Sequence, residues 1–371
     1  MSVRLIKVED KKGLNRFIKF AWKIYKGDPY WVPPLISEQK KFFNPSVNPF
    51  FQHSEVDFFL VEKNGELSGR IAAILNRNHN EFQGERTGFF GFFESVNDRE
   101  VSDTLFDAAA EWLKKRGMEV MRGPMNFSTN DECGLLVEGF NSSPVIMMTY
   151  NPPYYSELIE NYGFKKAKDL YAYMIDNPEP PEKLVRGVEL IKRKKNISLR
   201  NVNLKKFDEE VEVIHDIYNS AWEKNWGFIP MTDDEFYYLA KNLKTIVNPE
   251  LAFIAEVNGL PAGFSLAIPN VNEALIKING RLFPSGFIKL LWYFKKIKSL
   301  RIITMGVKKE FRFMGIDALF YLETFRAGVR RGYKWAEMSW ILEDNLMMIR
   351  ALEDLNARRY KTYRIYDLPL T

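Results

Sequence analysis

The chain has 371 residues, 46% of them hydrophobic and 15% aromatic, which fills one large core or two smaller ones and excludes global disorder. One cysteine (Cys133) and three histidines exclude an internal disulfide and argue against any thiolate-rich or histidine-built metal site. Lys plus Arg total 53 against 48 for Asp plus Glu, and this net +5 admits an anionic ligand without calling for specific nucleic-acid binding. No apolar run approaches the roughly 18 residues of a membrane span, and no signal-type stretch follows Met1, so a soluble cytoplasmic protein is expected.

In chain order, a strand is predicted at Val3–Val8. A helix follows, with Leu14, Phe17, Ile18, Ala21, Trp22 and Tyr25 on one face. A hairpin is predicted around Asn64-Gly65, because both central residues of a two-residue turn need positive φ. Then come a strand at Thr87–Phe93, a helix over about 101–115 and a strand at Met118–Met121. Residues 123–155 read as a loop, including an extra piece at about 124–145, with one helical turn near Cys133–Val137. Tyr154, Leu158, Ile159 and Tyr162 have helical spacing, and Gly163 suits a left-handed cap.

Asn177-Pro178-Glu179-Pro180-Pro181 interrupts any regular element, and Lys192 to Lys195 closes a charged stretch after it. The same order then begins again. A strand at Ile197–Leu204 precedes a helix with Val211, Ile214, Tyr218, Ala221 and Trp222 on one face, and FIAEVNGLPAG (253–263) matches FLVEKNGELSG (59–69). A strand at Arg301–Val307, a helix over about 316–330, a strand at Lys334–Trp340, a short helix and a last strand complete it. Each half reads β-α-β-β-β-α-β-α-β, so a duplicated mixed-sheet α/β fold is expected, with domains at 1–177 and 196–371 and a linker at 178–195.

The second-half turn after Val307 is the most chemical passage. A strand runs into Lys308, Lys309 and Arg312, and Gly315 stands where the next helix begins. Free amides at a helix start, beside basic side chains, suit a diphosphate. Arg312-x-x-Gly315 after a strand, with the Asn345 region downstream, resembles the GCN5-related N-acetyltransferase (GNAT) superfamily, and the two-half chain resembles its tandem bacterial members. That resemblance implies binding of acetyl-CoA or another acyl-CoA through Met305, Gly306, Val307, Arg312, Met314, Gly315, Ile316 and Asn345. It further implies transfer of an acyl group, acetyl being expected, to a small-molecule amine. Glu343, Asp344 and Tyr360 are the candidate proton-transfer residues.

Two departures support an alternative, a ligand-binding protein without transfer. Asp317 takes the last position of the superfamily loop, usually glycine or alanine, and Leu352 takes the place of a frequent general-acid tyrosine. The first half lacks the glycine turn and is expected to be degenerate. For its long loop two readings stand open. Asn126, Ser128, Asn130, Tyr150 and Tyr154, with Trp340 from the second half, line an acceptor pocket, or the loop is a structural plug. Phe287, Leu290, Leu291, Tyr293 and Phe294, interleaved with lysines, form an expected basic amphipathic helix with three readings open: packing on the first half, which is the default, covering an acyl chain, or resting on a membrane surface. Oligomeric association is left open.

Overall fold

The computed structural model describes residues 2–177, 179–194, 196–222 and 225–370. Pro178 of the proline-rich break and Lys195 of the charged stretch therefore lie outside the described residues. The elements are β1 (Val3–Lys7), α1 (Lys11–Lys19), α2 (Ala21–Ile24), α3 (Ile36–Phe42), β2 (Ser54–Lys63), β3 (Glu66–Asn76), α4 (Arg77–Gln83), β4 (Thr87–Ser95), α5 (Arg99–Lys114), β5 (Val120–Gly123), β6 (Met125–Asn126), β7 (Glu132–Cys133), β8 (Leu135–Glu138), α6 (Tyr155–Tyr162) and β9 (Lys165–Ile175). They continue as α7 (Glu182–Lys194), β10 (Ile197–Asn201), α8 (Phe207–Ala221), α9 (Asp233–Leu243), β11 (Ala252–Val257), β12 (Leu260–Pro269), α10 (Asn272–Leu275), α11 (Gly286–Phe294), β13 (Ser299–Val307), α12 (Ile316–Arg330), β14 (Trp335–Leu342), α13 (Leu346–Asp354) and β15 (Arg358–Pro369).

Both halves carry the expected order. Neighbouring strands β1 to β4 pair antiparallel and β4 pairs β5 in parallel. Strands β10 to β13 pair antiparallel and β13 pairs β14 in parallel. The Asn-Gly turns have the geometry their sequence demands. Asn64 and Gly65 lie at φ 54 and 81, Asn258 and Gly259 at φ 52 and 81, and the pairs Lys63↔Glu66 and Val257↔Leu260 close the two-residue loops. The helix ends match too, with Gly163 at φ 121 and Asn356 at φ 62.

The compact units do not follow the chain halves. One comprises Met1–Leu170, Leu275–Leu290 and Lys361–Thr371, and the other Tyr171–Ala274 and Leu291–Tyr360. Residues 361–369, expected within the second domain, extend the sheet of the first unit, where Tyr366–Pro369 pair antiparallel with Val120–Gly123. Side chains fix this pairing, since Arg122 donates to both carboxylate oxygens of Asp367 at 2.8 and 2.9 Å and Arg364 holds Asp169 in the same manner at 2.8 and 3.1 Å. The expected linker contains α7, whose Val188 packs on Leu319 and Leu322 of α12.

The long first-half loop departs from the reading of one helical turn at Cys133–Val137. It forms β6, β7 and β8 instead, because its amides find extended partners. Leu135 and Leu136 pair with Arg364 and Tyr363, and the Asn151 side chain bonds both the N–H and the C=O of Leu136 (2.7 and 3.1 Å).

In the first unit α5 packs Val101, Leu105 and Phe106 on Val61, Ile71 and Phe90. A second apolar cluster joins Phe17, Phe43, Phe50, Phe58, Phe92 and Phe127 mostly edge to face, with Phe50 and Phe127 stacked at 4.8 Å. In the second unit α12 lays Ile316 and Phe320 on Leu251, Phe253 and Leu300. Ile217 of α8 packs with Ile254 and Phe264.

Candidate active site

In the second unit β13 and β14 run in register only from Ser299↔Trp335 to Ile302↔Met338. Beyond that point β13 continues to Val307 and β14 to Leu342 without pairing each other. The cause is local. A register shift between Leu266 and Ala267 leaves Ile303 as an extra residue on β13, and a bulge of this kind turns a strand away from its neighbour. Residues 303–307 thus present one backbone edge to the gap while the other bonds β12. Thr304 lies there with its hydroxyl oxygen buried and without a partner among the described residues. Gly306 has a packing reason, because a Cβ there would stand 2.2 Å from the Trp222 ring.

At the end of β13 comes the glycine turn. Gly315 sits at φ 84, opens α12, and no side chain caps the helix. A Cβ on Gly315 would also stand 2.4 Å from Ile191 of α7. Of the expected cations, Lys308 is engaged by Asp216, Arg312 donates to the carbonyl of Ala221 at 2.9 Å, and Lys309 is exposed. Arg312 therefore does not neutralise Asp317, which is exposed in the first turn of α12. Ile316 is core, and Met314 packs at its edge.

The matching place in the first unit is built differently. There β4 and β5 pair only over Thr87–Phe89 with Val120–Arg122. The chain itself fills the gap beyond, for a Cβ on Gly91 would lie 1.8 Å from the Met125 carbonyl, and the Asn126 amide oxygen accepts from Phe92 N at 2.8 Å. Helix α5 is capped by Asp98, with Glu100 in its first turn and Lys63 on both carboxylates. An anion would meet negative charge there.

On the face of β13 and β14 that meets α12 lies an apolar cavity. Leu300, Ile302, Met305, Ala336 and Met338 form its floor, and Tyr321, Thr324, Phe325 and Gly328 of α12 its wall. It contains one buried hydroxyl oxygen with no partner among the described residues, that of Thr324. Burial and the nearby Asp317 raise the Tyr321 hydroxyl above its ordinary range, and that hydroxyl donates to Met348 Sδ at 3.1 Å.

Side chains alternate along a strand, so Arg301, Glu337 and Ser339 point to the opposite face from Ile302 and Met338. Arg301 and Glu337 are register partners, and both are buried. Arg301 Nε donates to Ser339 Oγ at 3.1 Å, and Ser339 Oγ and Tyr360 OH each donate a short hydrogen bond to the Glu337 carboxylate. Of the three proton-transfer candidates, Tyr360 thus joins a buried carboxylate. Glu343 and Asp344 form the turn after β14, and Asn345 caps α13 by accepting from Met348 N at 3.2 Å. Glu337 and Arg301 escaped the sequence reading as site residues. The signal was a glutamate and a serine at alternate positions of the otherwise mostly apolar strand WAEMSWIL.

The first-unit candidates are internally bonded. Asn126 holds Phe92, Ser128 Oγ bonds Asp131 (2.9 Å) and accepts from Asn130 N (3.1 Å), Tyr150 OH reaches Asp28 (3.0 Å), and Tyr154 OH donates to the Ser95 carbonyl (2.8 Å). These bonds tie the loop's polar side chains to the first unit itself. Trp340 lies half-buried on β14 beyond the parting point.

The chain matches no protein-family model. Over its whole length it is similar in fold to a tandem GNAT protein from the clavulanic acid biosynthesis pathway (TM-score 0.60, 13% identity, covering 100% of this chain and 99% of that one). A GCN5-related N-acetyltransferase from Sphaerobacter thermophilus aligns over 90% of this chain and 85% of its own with a TM-score of 0.51 and 15% identity. In sequence it is 37% identical to the bacterial ceramide synthase of Caulobacter vibrioides over 100% of this chain and 98% of that protein. It is 36% identical to protein YghO of Escherichia coli over 96% and 93% of the respective chains. Identity at that level along nearly the full length of each, on the duplicated GNAT fold, means that the chain belongs to the family of YghO and the bacterial ceramide synthase.

Proposed function

We propose that the protein is an acyl-CoA-dependent acyltransferase, with one donor site, in the second unit. The observation that carries this is the parting of β13 from β14 directly before an uncapped helix start. The α12 amides, Gly315 and Lys309 suit the diphosphate of coenzyme A, and the free edge of residues 303–307, with the unpartnered Thr304 hydroxyl, suits its amide-bearing arm. The first unit offers a filled gap and an acid-capped helix, which supports a single site per chain.

The acceptor is a small-molecule amine and the acyl group is long rather than acetyl. Two facts support this. The cavity beside the parting point is lined mainly by apolar side chains, and the Caulobacter relative is named for making ceramide, the amide of a fatty acid and a long-chain amino alcohol. Glu337 accepts the proton of the attacking ammonium through Tyr360 or Ser339. The freed amine nitrogen forms a bond to the thioester carbonyl carbon, the carbon–sulfur bond breaks, the nitrogen gives up its second proton to solvent, and the thiolate takes a proton from solvent. Asp317 remains solvated at the rim.

The test follows thiol release from palmitoyl-CoA and acetyl-CoA, each with a long-chain amino alcohol and with short amines, with mass spectrometry of the product. An amide formed from the long donor and the long amine is expected. Coenzyme A binding with no thiol release from any pair would overturn transfer in favour of a ligand-binding protein.

A further inference from the structure

Helix α11 presents large apolar side chains to the outside. Of its nine residues only Gly286 is buried. Phe287 is 54% exposed, Ile288 71%, Leu291 54% and Trp292 54%, and Phe283 just before the helix is 85% exposed. Positions 287, 288, 291 and 292 share one face at helical spacing, so these are one contiguous patch. The helix is held at its base: Gly286 is fixed against the Arg281 carbonyl, 1.9 Å from where a Cβ would stand, and Ile297 beyond its end is buried.

The chain on either side of the patch carries charge of one sign. Between Glu273 and Glu310 the chain has no acidic residue. Lys277, Arg281, Lys289, Lys295, Lys296 and Lys298 are all exposed in this stretch, and none forms an ion pair with a carboxylate among the described residues. Lys296 lies over the Trp292 ring, its ammonium 3.1 Å from the centroid. An apolar helix face carrying tryptophan and phenylalanine, bordered by unpaired lysines, is the pattern of a helix lying in a bilayer interface. Among the described residues no helix is long and apolar enough to cross a membrane.

We infer that α11 docks the protein on an anionic lipid surface, with Phe287, Ile288, Leu291 and Trp292 entering the interface and the flanking lysines facing the headgroups. A second copy of the chain is the rival occupant. The six exposed cations of residues 277–298 oppose self-pairing, whereas a surface of negative headgroups neutralises them.

The test sediments the full chain with vesicles of equal parts phosphatidylglycerol and phosphatidylcholine, and with vesicles of phosphatidylcholine alone. Partition into the anionic vesicles is expected, at least tenfold stronger than into the neutral ones and weakened by 0.5 M salt. Ile288→Glu and Trp292→Ser change exposed positions, and each is expected to lower the anionic partition at least tenfold while melting temperature stays constant. Replacing Lys295 or Lys296 by Gln is expected to lower it about fivefold per site. Brominated lipid should quench native fluorescence more than that of Trp292→Phe. The inference is overturned if the native chain stays in the supernatant at every lipid concentration, or if Ile288→Glu binds vesicles as well as the native chain. It is equally overturned if light scattering finds a dimer that Ile288→Glu splits and vesicle binding is absent.

Discussion

At the scale of single residues, four positions carry the sharpest consequences. Gly315 needs its left-handed conformation and has no room for a side chain, so Gly315→Leu is expected to cost about 1–3 kcal/mol of stability and to abolish donor binding in the protein that still folds. Melting temperature and coenzyme A calorimetry separate the two effects. Glu337→Gln is expected to lower kcat by about 10²–10⁴ with little change in donor KM, as loss of a proton acceptor does. Tyr360→Phe leaves the Ser339 bond to Glu337 in place and should have the smaller effect. His79 sets a pH dependence of stability. Burial lowers its pKa from the ordinary imidazole value, and this outweighs Glu85 at 3.3 Å. A depressed imidazole favours the neutral form in the folded chain. The stability it contributes is present above the unfolded value near 6.5 and is lost as pH falls below it. Urea midpoints measured from pH 7.5 to 5.5 should therefore decline in the native chain, and less so in His79→Phe.

At the scale of elements, the cavity between α12 and the floor of β13 and β14 is open to direct test. Thr324→Val replaces a buried, unpartnered hydroxyl by a methyl of like shape, and should raise stability by about 1 kcal/mol, read from denaturant midpoints. The hairpins and the α12 start were legible in the sequence because Asn-Gly and a lone glycine after a strand have few other uses. Strands β6, β7 and β8 were not, since segments of two to four residues show no periodicity and owe their form to partners such as Asn151 and Tyr363. The parting of β13 from β14 was not legible, since nothing in RIITMGV marks Ile303 as the bulge. Glu337 was passed over because a glutamate in a strand ordinarily faces solvent, and only the register opposite Arg301 shows that this one is buried.

At the scale of the whole molecule, the exchange of the last strand joins the two ends of the sequence. The pairing partner of 361–369 could not be read from its alternation, which suits any sheet edge. Ending the chain after Tyr360 removes the Asp367 and Arg364 partners of Arg122 and Asp169, and leaves the β5 edge uncovered. Limited proteolysis of that shortened chain should cut first within residues 1–170, far in sequence from the deletion. Duplication has also produced two unequal copies. One gap is filled by Met125 and Asn126 under an acid-capped helix, and the other is open under an uncapped one. The most direct measurement is calorimetric titration of coenzyme A into the native chain and into Gly315→Leu. One molecule bound per native chain, with none bound by the variant, is the result this account predicts. Two sites per chain, or a native isotherm from a folded Gly315→Leu protein, would contradict it.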